Sequence, residues 1–221
     1  MRVKVDIDQA LFTQYKDIRL GCIQFDATVQ ESQPKFWEYV DNDVIPGIRQ
    51  SLEGKEWNQI PGVKGSRLAY KAFGRNPGRY RVSSEALLRR VRRLDPLYHI
   101  NTVVDVNNLI SIQSGLSVGS YDIEQIKGDV LLRKAGFQEG YIGIGKSFID
   151  MENMLVLADQ EGIFGSSLSD SIRTMVTMRS QHILSVIYCF EAEIDLLSLL
   201  DKSKLLLVEY AGAKNVETWI V

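Results

Sequence analysis

The sequence predicts an α+β fold, with mixed strands and helices layered in a single domain spanning residues 1–221. Three observations lead there. Runs rich in β-branched and aromatic residues, such as RLGCIQFDATV and ILSVIYCF, read as strands. Segments whose apolar residues recur every three or four positions read as amphipathic helices. The two kinds follow one another without regular strand–helix–strand alternation, which excludes a doubly wound parallel fold. A chain of 221 residues, 45% hydrophobic and 24% charged, is long enough to bury a core without disulfides or metals.

Taken in order, RLGCIQFDATV is the first strand. SQPKFWEYVDNDVIPGIRQSLEG is a helix, with Pro34 near its start, Phe36, Trp37, Val40 and Ile45 as a core face, and Pro46 as a kink or break. GSRLAYKAFG is a short basic helix ending at Gly74, and RNPG is a turn. In SSEALLRRVRR, Ser83 is placed as the N-cap, Glu85 sits where the helix dipole favours an acid, and Leu87, Leu88, Val91 and Leu94 form one stripe. Asp95-Pro96 stops that helix. INTVVDVNNLISIQSG reads as a helix held by tertiary packing, because its valines are poor helix formers. Asn101, Asp105 and Asn108, spaced by four and three, share one face. They serve either as the wall of a polar pocket or as buried groups capping neighbouring loops. GDVLLRKA and NMLVLAD follow as strands, QEGIFGSSLSD as a loop, and TMVTMRS and ILSVIYCF as further strands. EAEIDLLSLLDKSKLLLVEYAGA is a long amphipathic helix ending near Gly212, and VETWIV is a closing strand.

The net charge of -2 does not point to a nucleic-acid binder, but its distribution is uneven. Residues 64 to 93 carry ten Lys or Arg and a single acid, Glu85, leaving the remainder strongly acidic. Such an island either attracts phosphates or forms a solvated helix face. Cys22 and Cys189 have no metal or redox spacing and read as reduced core thiols of a cytosolic protein. The charged N-terminus does not read as a signal peptide, and no apolar stretch reaches membrane-spanning length. No cofactor or metal is expected, since no His, Cys and carboxylate cluster has ligand spacing.

Two motifs invite catalytic readings. Residues 140–147, GYIGIGKS, fit the phosphate-loop expression, yet no room for the required helix follows Lys146. Gly115-Leu116-Ser117-Val118-Gly119 fits the nucleophile elbow, with Asp159, Asp170 and His182 downstream in the order that fold needs. The repeated strand–helix units around such an elbow are missing, and neither His99 nor His182 is well placed for a triad.

The run from Ser83 to about Ser185 resembles the B3/4 domain, the tRNA-editing domain of the beta subunit of bacterial phenylalanyl-tRNA synthetase, also found as free-standing proteins. VVDVNN resembles the family's Val-Asp-Val-Thr-Asn helix, and VGSYD its Met-His-Ala-Phe-Asp loop. GDVLLRKAGFQEGYIGIG resembles the strand and turn that follow, and VLADQEGIFGSSLSD the strand leading to the Gly-Ile-Met-Gly-Gly turn. RVSSEALLRRV is closer to the free-standing members. The resemblance implies an 83–185 core, with 1–82 packed on it and 186–221 completing it. It also implies hydrolysis of mischarged aminoacyl-tRNA by an oriented water, with tRNA or a free amino acid as partner, in the cytoplasm. SGLSVGSYD becomes a pocket-lining loop, and GYIGIGKS a turn between strands. The implied pocket comprises Asn101, Asp105, Asn108, Gly119, Tyr121, Asp122, Gly162 and Gly165. Asp105 or Asp122 would hold an ammonium; Asn101, Asn108 and Tyr121 would orient acyl group or water. Backbone N–H groups near Gly162 and Gly165 would stabilise the oxyanion. Arg89, Arg90, Arg92 and Arg93 would hold the RNA backbone. Gly119 replaces the synthetases' pocket histidine, and their later acidic residue has no match near Met178. Two alternatives stay open: a non-catalytic RNA- or amino-acid-binding module, and a small serine esterase using Ser117.

Overall fold

The computed structural model describes residues 2–221. In chain order the elements are β1 (Val5–Ile7), β2 (Arg19–Asp26), α1 (Pro34–Tyr39), α2 (Ile45–Leu52), α3 (Val63–Ala72), α4 (Ser83–Arg93), α5 (Thr102–Ser114), β3 (Ser117–Asp122), β4 (Val130–Lys134), β5 (Gly140–Ile142), β6 (Phe148–Asp150), β7 (Leu155–Asp159), β8 (Gly162–Ser166), β9 (His182–Cys189), α6 (Leu196–Ala211) and β10 (Lys214–Ile220). The fold is α+β.

Two four-stranded sheets form the frame, ordered β1-β4-β7-β8 and β10-β2-β9-β3. Only the β1–β4 pairing is parallel within them. Side-chain alternation explains how the sheets stack. In the second sheet Leu20, Cys22, Leu184, Val186 and Tyr188 point to one side, where they meet Val130, Leu132, Leu155 and Phe164 of the first. The opposite set, Ile23, Phe25, Ile183 and Ile187, packs against α1, α2, α4, α5 and α6. Strand β9 is thus covered on both faces, which is why ILSVIYCF reads as an unbroken apolar run. Each Leu, Ile or Val buried this way contributes about 1.5–3 kcal/mol relative to exposure.

Local chemistry sets the helix boundaries. Helix α1 begins at Pro34, and a π-helical turn over Val40–Val44 joins it to α2, where Pro46 occupies the first turn and needs no intrahelical N–H partner. Ser83 is the first residue of α4 rather than its cap. Its N–H goes to the Ser167 carbonyl (2.8 Å), and Val82 precedes it without a side-chain cap. Leu94 ends that helix in the left-handed region, φ 65°. The β-branched residues of α5 are held by burial: Val103, Val106 and Ile110 are almost wholly enclosed. Helix α6 starts at Leu196, capped by Asp195, so residues 191–195 form a loop where a helix was expected.

Three further expectations are corrected. SGLSVGSYD is not a loop: Ser117–Asp122 is the edge strand β3, paired residue for residue with β9. GIFGS, expected within a loop, is the edge strand β8. TMVTMRS is no strand; it makes a single bridge from Met175 to Tyr121 and then turns at Thr177–Ser180. Glycines obscured the period-two pattern in the first two, and a turn closed by Ser180 broke it in the third. GYIGIGKS does form the turn of the β5–β6 hairpin.

Candidate functional site

Strands β3 and β8 are open edges of the two stacked sheets, bridged by Tyr121 of β3, whose ring meets Phe164 and Gly165 of β8. A cavity of about 320 Å³ is lined by residues of both strands and of the helices. Helix α5 and the residue preceding it by two supply Ile100, Val104, Asn107 and Asn108 to its wall. The three-and-four spacing places the last three on one face of the helix. Strand β3 supplies Val118 and Ser120, which alternate with the inward-pointing Gly119 and Tyr121. The remaining wall comes from Ser83 at the start of α4, Ser166 at the end of β8, and the segment carrying Asp170, Met175 and Val176.

Behind this wall run two hydrogen-bonded chains. In one, Asn107 Nδ2 donates to Ser120 Oγ, which pairs with Ser185 Oγ at 2.5 Å on the adjacent strand. Asn107 Oδ1 is left buried without a partner. In the other, Tyr121 Oη donates to Asp170 Oδ1 at 2.8 Å and meets Tyr188 Oη at 2.7 Å. The Ser166 N–H also donates to Asp170 Oδ1, at 3.2 Å. Burial raises the Asp170 carboxyl to about 7, against the lowering effect of its hydrogen bonds and of Lys146. Burial likewise pushes both tyrosines far above their ordinary range.

Gly119 and Gly165 exist for Tyr121. A Cβ on Gly119 would lie 2.2 Å from Tyr121 Oη, and one on Gly165 would lie 2.3 Å from it. The ring is fully buried and its hydroxyl is gripped between two edge-strand glycines. A histidine at position 119 would have nowhere to go.

The eight pocket residues named from sequence divide accordingly. Asn108 lines the cavity. Gly119, Tyr121 and Gly165 stand directly behind it, shaping it through Asp170. The other four are placed elsewhere. Asn101 caps α5, its Oδ1 accepting from the N–H groups of Val103 (3.1 Å) and Val104 (3.0 Å). Asp105 turns back to accept from Ser32 Oγ (2.7 Å) and Ile100 N (2.9 Å), fixing the chain before the helix. Asp122 accepts from Ser180 Oγ (2.7 Å) and the Glu124 N–H (3.0 Å). Gly162, at φ 122°, makes the β7–β8 turn. The row from Asn101 to Asn108 is therefore not a single pocket face, because helix ends demand polar caps. Asn107, Ser120, Ser166 and Asp170 were not assigned to the pocket from sequence. The one legible signal was the alternation of VGSYD, which sets Ser120 opposite Tyr121.

Ser117 is not an exposed nucleophile. It is buried on β3 and hydrogen-bonded to the Ser84 N–H and hydroxyl. It pairs with Tyr188 while His182, bound to Asp26, sits six residues away on β9, about 20 Å along the strand. No triad forms.

The basic island is partly neutralised within the fold. Glu85, 1% exposed, pairs with both Arg67 and Arg89 at 2.8 Å. Arg92 lies over Trp57 and donates to the carbonyls of Leu52 and Lys55. Arg90 lies over Tyr98, 4.1 Å from the ring centre, and bonds Pro96 O. Arg93, Lys71, Arg79 and Arg81 stand exposed. Ser83, the first residue of α4, and Ile100, two residues beyond Tyr98, both line the cavity. Among the described residues no cluster of three potential metal ligands occurs, and no helix is long and apolar enough to cross a membrane.

These features define a class: an α+β protein with stacked sheets and a polar-lined cavity at their shared edge. The sequence profile of the B3/4 domain matches residues 65–196, more than half of the chain, and the chain belongs to that family. Among solved structures it is similar to an N-terminal fragment of the phenylalanyl-tRNA synthetase beta-subunit from Pyrococcus horikoshii. The identity is 13% and the TM-score 0.47, over 98% of this chain and 50% of that one. The chain thus spans half the length of that fragment. No curated protein matches it.

Proposed function

We propose that this chain binds tRNA and hydrolyses the ester of a mischarged aminoacyl-tRNA, acting in the cytoplasm as one unit over residues 1–221. The observation that carries the reading is the cavity. It lies where the family's motif-bearing segments α5, β3 and β8 converge, and its 320 Å³ can enclose an aminoacyl end. Val104, Val118, Met175 and Val176 offer an apolar bed for a side chain, while Asn108 and Asp170 offer polar contacts for the ammonium and ester. Arg93, Lys71, Arg79 and Arg81 supply phosphate contacts on the adjoining surface. Editing by a second site is the expected device where a binding pocket separates similar side chains poorly.

The test is a panel of mischarged tRNAs incubated with stoichiometric protein, with released amino acid measured. Release from at least one member supports the reading. No release from any member, with tRNA binding retained, makes the chain a binding module instead.

A further inference from the structure

We infer that Asp170 is the general base of this cavity, activating the water that attacks the acyl carbonyl of a ribose-linked aminoacyl ester. The inference rests on the deacylase reading above. It goes further in giving a catalytic role to a residue that the resemblance did not place in the pocket.

The geometry carries it. Of the two carboxylate oxygens, Oδ1 is saturated: it accepts from Tyr121 Oη at 2.8 Å and from the Ser166 N–H at 3.2 Å. Oδ2 takes no hydrogen bond from the described residues, and Asp170 lines the cavity. The same wall holds Asn107 Oδ1, a buried acceptor without a partner. Buried polar atoms are nearly always paired, so an orphan acceptor beside a cavity marks a place for a donor. The attacking water is placed as a donor to Asp170 Oδ2, on the wall that also carries the Asn107 amide. The water's lone pairs are then left facing the cavity, where the acyl carbon would lie.

The chemistry balances without a cofactor. Asp170 takes a proton from the water as the water oxygen bonds to the carbonyl carbon. The carbon–oxygen bond to the ribose then breaks, and the Asp170 carboxyl returns the proton to the departing ribose oxygen. The products are a free amino acid and a tRNA with its terminal hydroxyl restored. A base works best when its pKa lies near the working pH, and Asp170 at about 7 meets that condition. The other titratable groups facing it are Tyr121 on β3, Tyr188 on β9, Tyr141 on β5 and Lys146 in the β5–β6 turn. Burial keeps the three tyrosines neutral through the range of interest. A rising limb of the rate near neutrality therefore belongs to Asp170. The Tyr121 hydroxyl stabilises the carboxylate, so it is a positioning and tuning group.

The experiment is single-turnover deacylation of whichever substrate the panel identifies, measured from pH 5 to 9 with spontaneous hydrolysis subtracted. Asp170→Asn keeps the size of the side chain and an acceptor for Tyr121. It should lower the rate by about 100-fold or more. Tyr121→Phe should retain activity but move the rising limb to higher pH, because the carboxylate loses a donor. This pH shift would not follow from a role in folding alone. If the wild-type protein deacylates and Asp170→Asn keeps its rate within about threefold, the assignment of Asp170 is overturned and the deacylase reading survives. If wild-type protein releases nothing from any substrate, both are overturned.

Discussion

Replacing Gly119 by alanine probes the packing that gives the cavity its carboxyl group. The backbone at Gly119 is ordinary strand, so the penalty is steric. The new Cβ would sit 2.2 Å from Tyr121 Oη, 2.8 Å from Cζ and 3.2 Å from Asp170 Oδ1. The phenol cannot yield toward β8, because Gly165 already presses on the same hydroxyl. Forcing the ring aside costs about 1–3 kcal/mol of overpacking. Moving its hydroxyl off Asp170 and Tyr188 adds about 2–3 kcal/mol of lost hydrogen bonding. The total is about 3–6 kcal/mol. Tyr121→Phe alone loses only the hydrogen bonds. Because both substitutions destroy the same bonds, the double variant should fall short of the sum by about 2 kcal/mol. Urea denaturation, read as midpoint shifts at unchanged slope, measures all three free energies. Additivity within about 0.5 kcal/mol would refute the argument that Gly119 exists to seat the Tyr121 hydroxyl.

Other outcomes follow from the same geometry. The folded Asp170 holds a proton up to about pH 7 that the unfolded chain releases near its ordinary value of about 4, so its contribution to stability falls as pH rises between those limits. Asp170→Asn should therefore gain on the wild type by about 2–4 kcal/mol between pH 4 and pH 8 in denaturant titrations, and a constant difference would contradict the burial argument. Glu85→Gln leaves Arg67 and Arg89 without their buried carboxylate and should cost about 3 kcal/mol, visible by calorimetry. Arg93→Ala should reduce the salt slope of tRNA binding by about 1, whereas Arg89→Ala should mainly lower stability, because its guanidinium is held by Glu85 and Trp57. Asn101→Ala should cost about 1–2 kcal/mol and speed hydrogen exchange in the first turn of α5, marking it as a cap.

The mixture of elements was legible in the sequence because it depends on short-range periodicity. Runs such as ILSVIYCF and SSEALLRRV carry their secondary structure in neighbouring residues. The family was legible as well, because motif order survives when individual motifs are weak. The cavity residues were largely not. Asn101, Asp105 and Asn108 share a helix face on paper, but whether a polar group caps an exposed backbone N–H or faces a cavity depends on what packs beside it. The fold uses the first two for capping and brings Asn107 and Asn108 to the wall. Glycines 119 and 165, 46 residues apart, look unrelated until the two sheets are stacked and one tyrosine fills both gaps. Asp170 was visible in sequence only at the end of a family-like stretch and as a member of a triad that does not form. Its environment is made by β3, β8 and β9 together. Local chemistry determined which segments were helix or strand; only the juxtaposition of distant strands, which sets burial and dielectric, decided which carboxyl group faces the cavity.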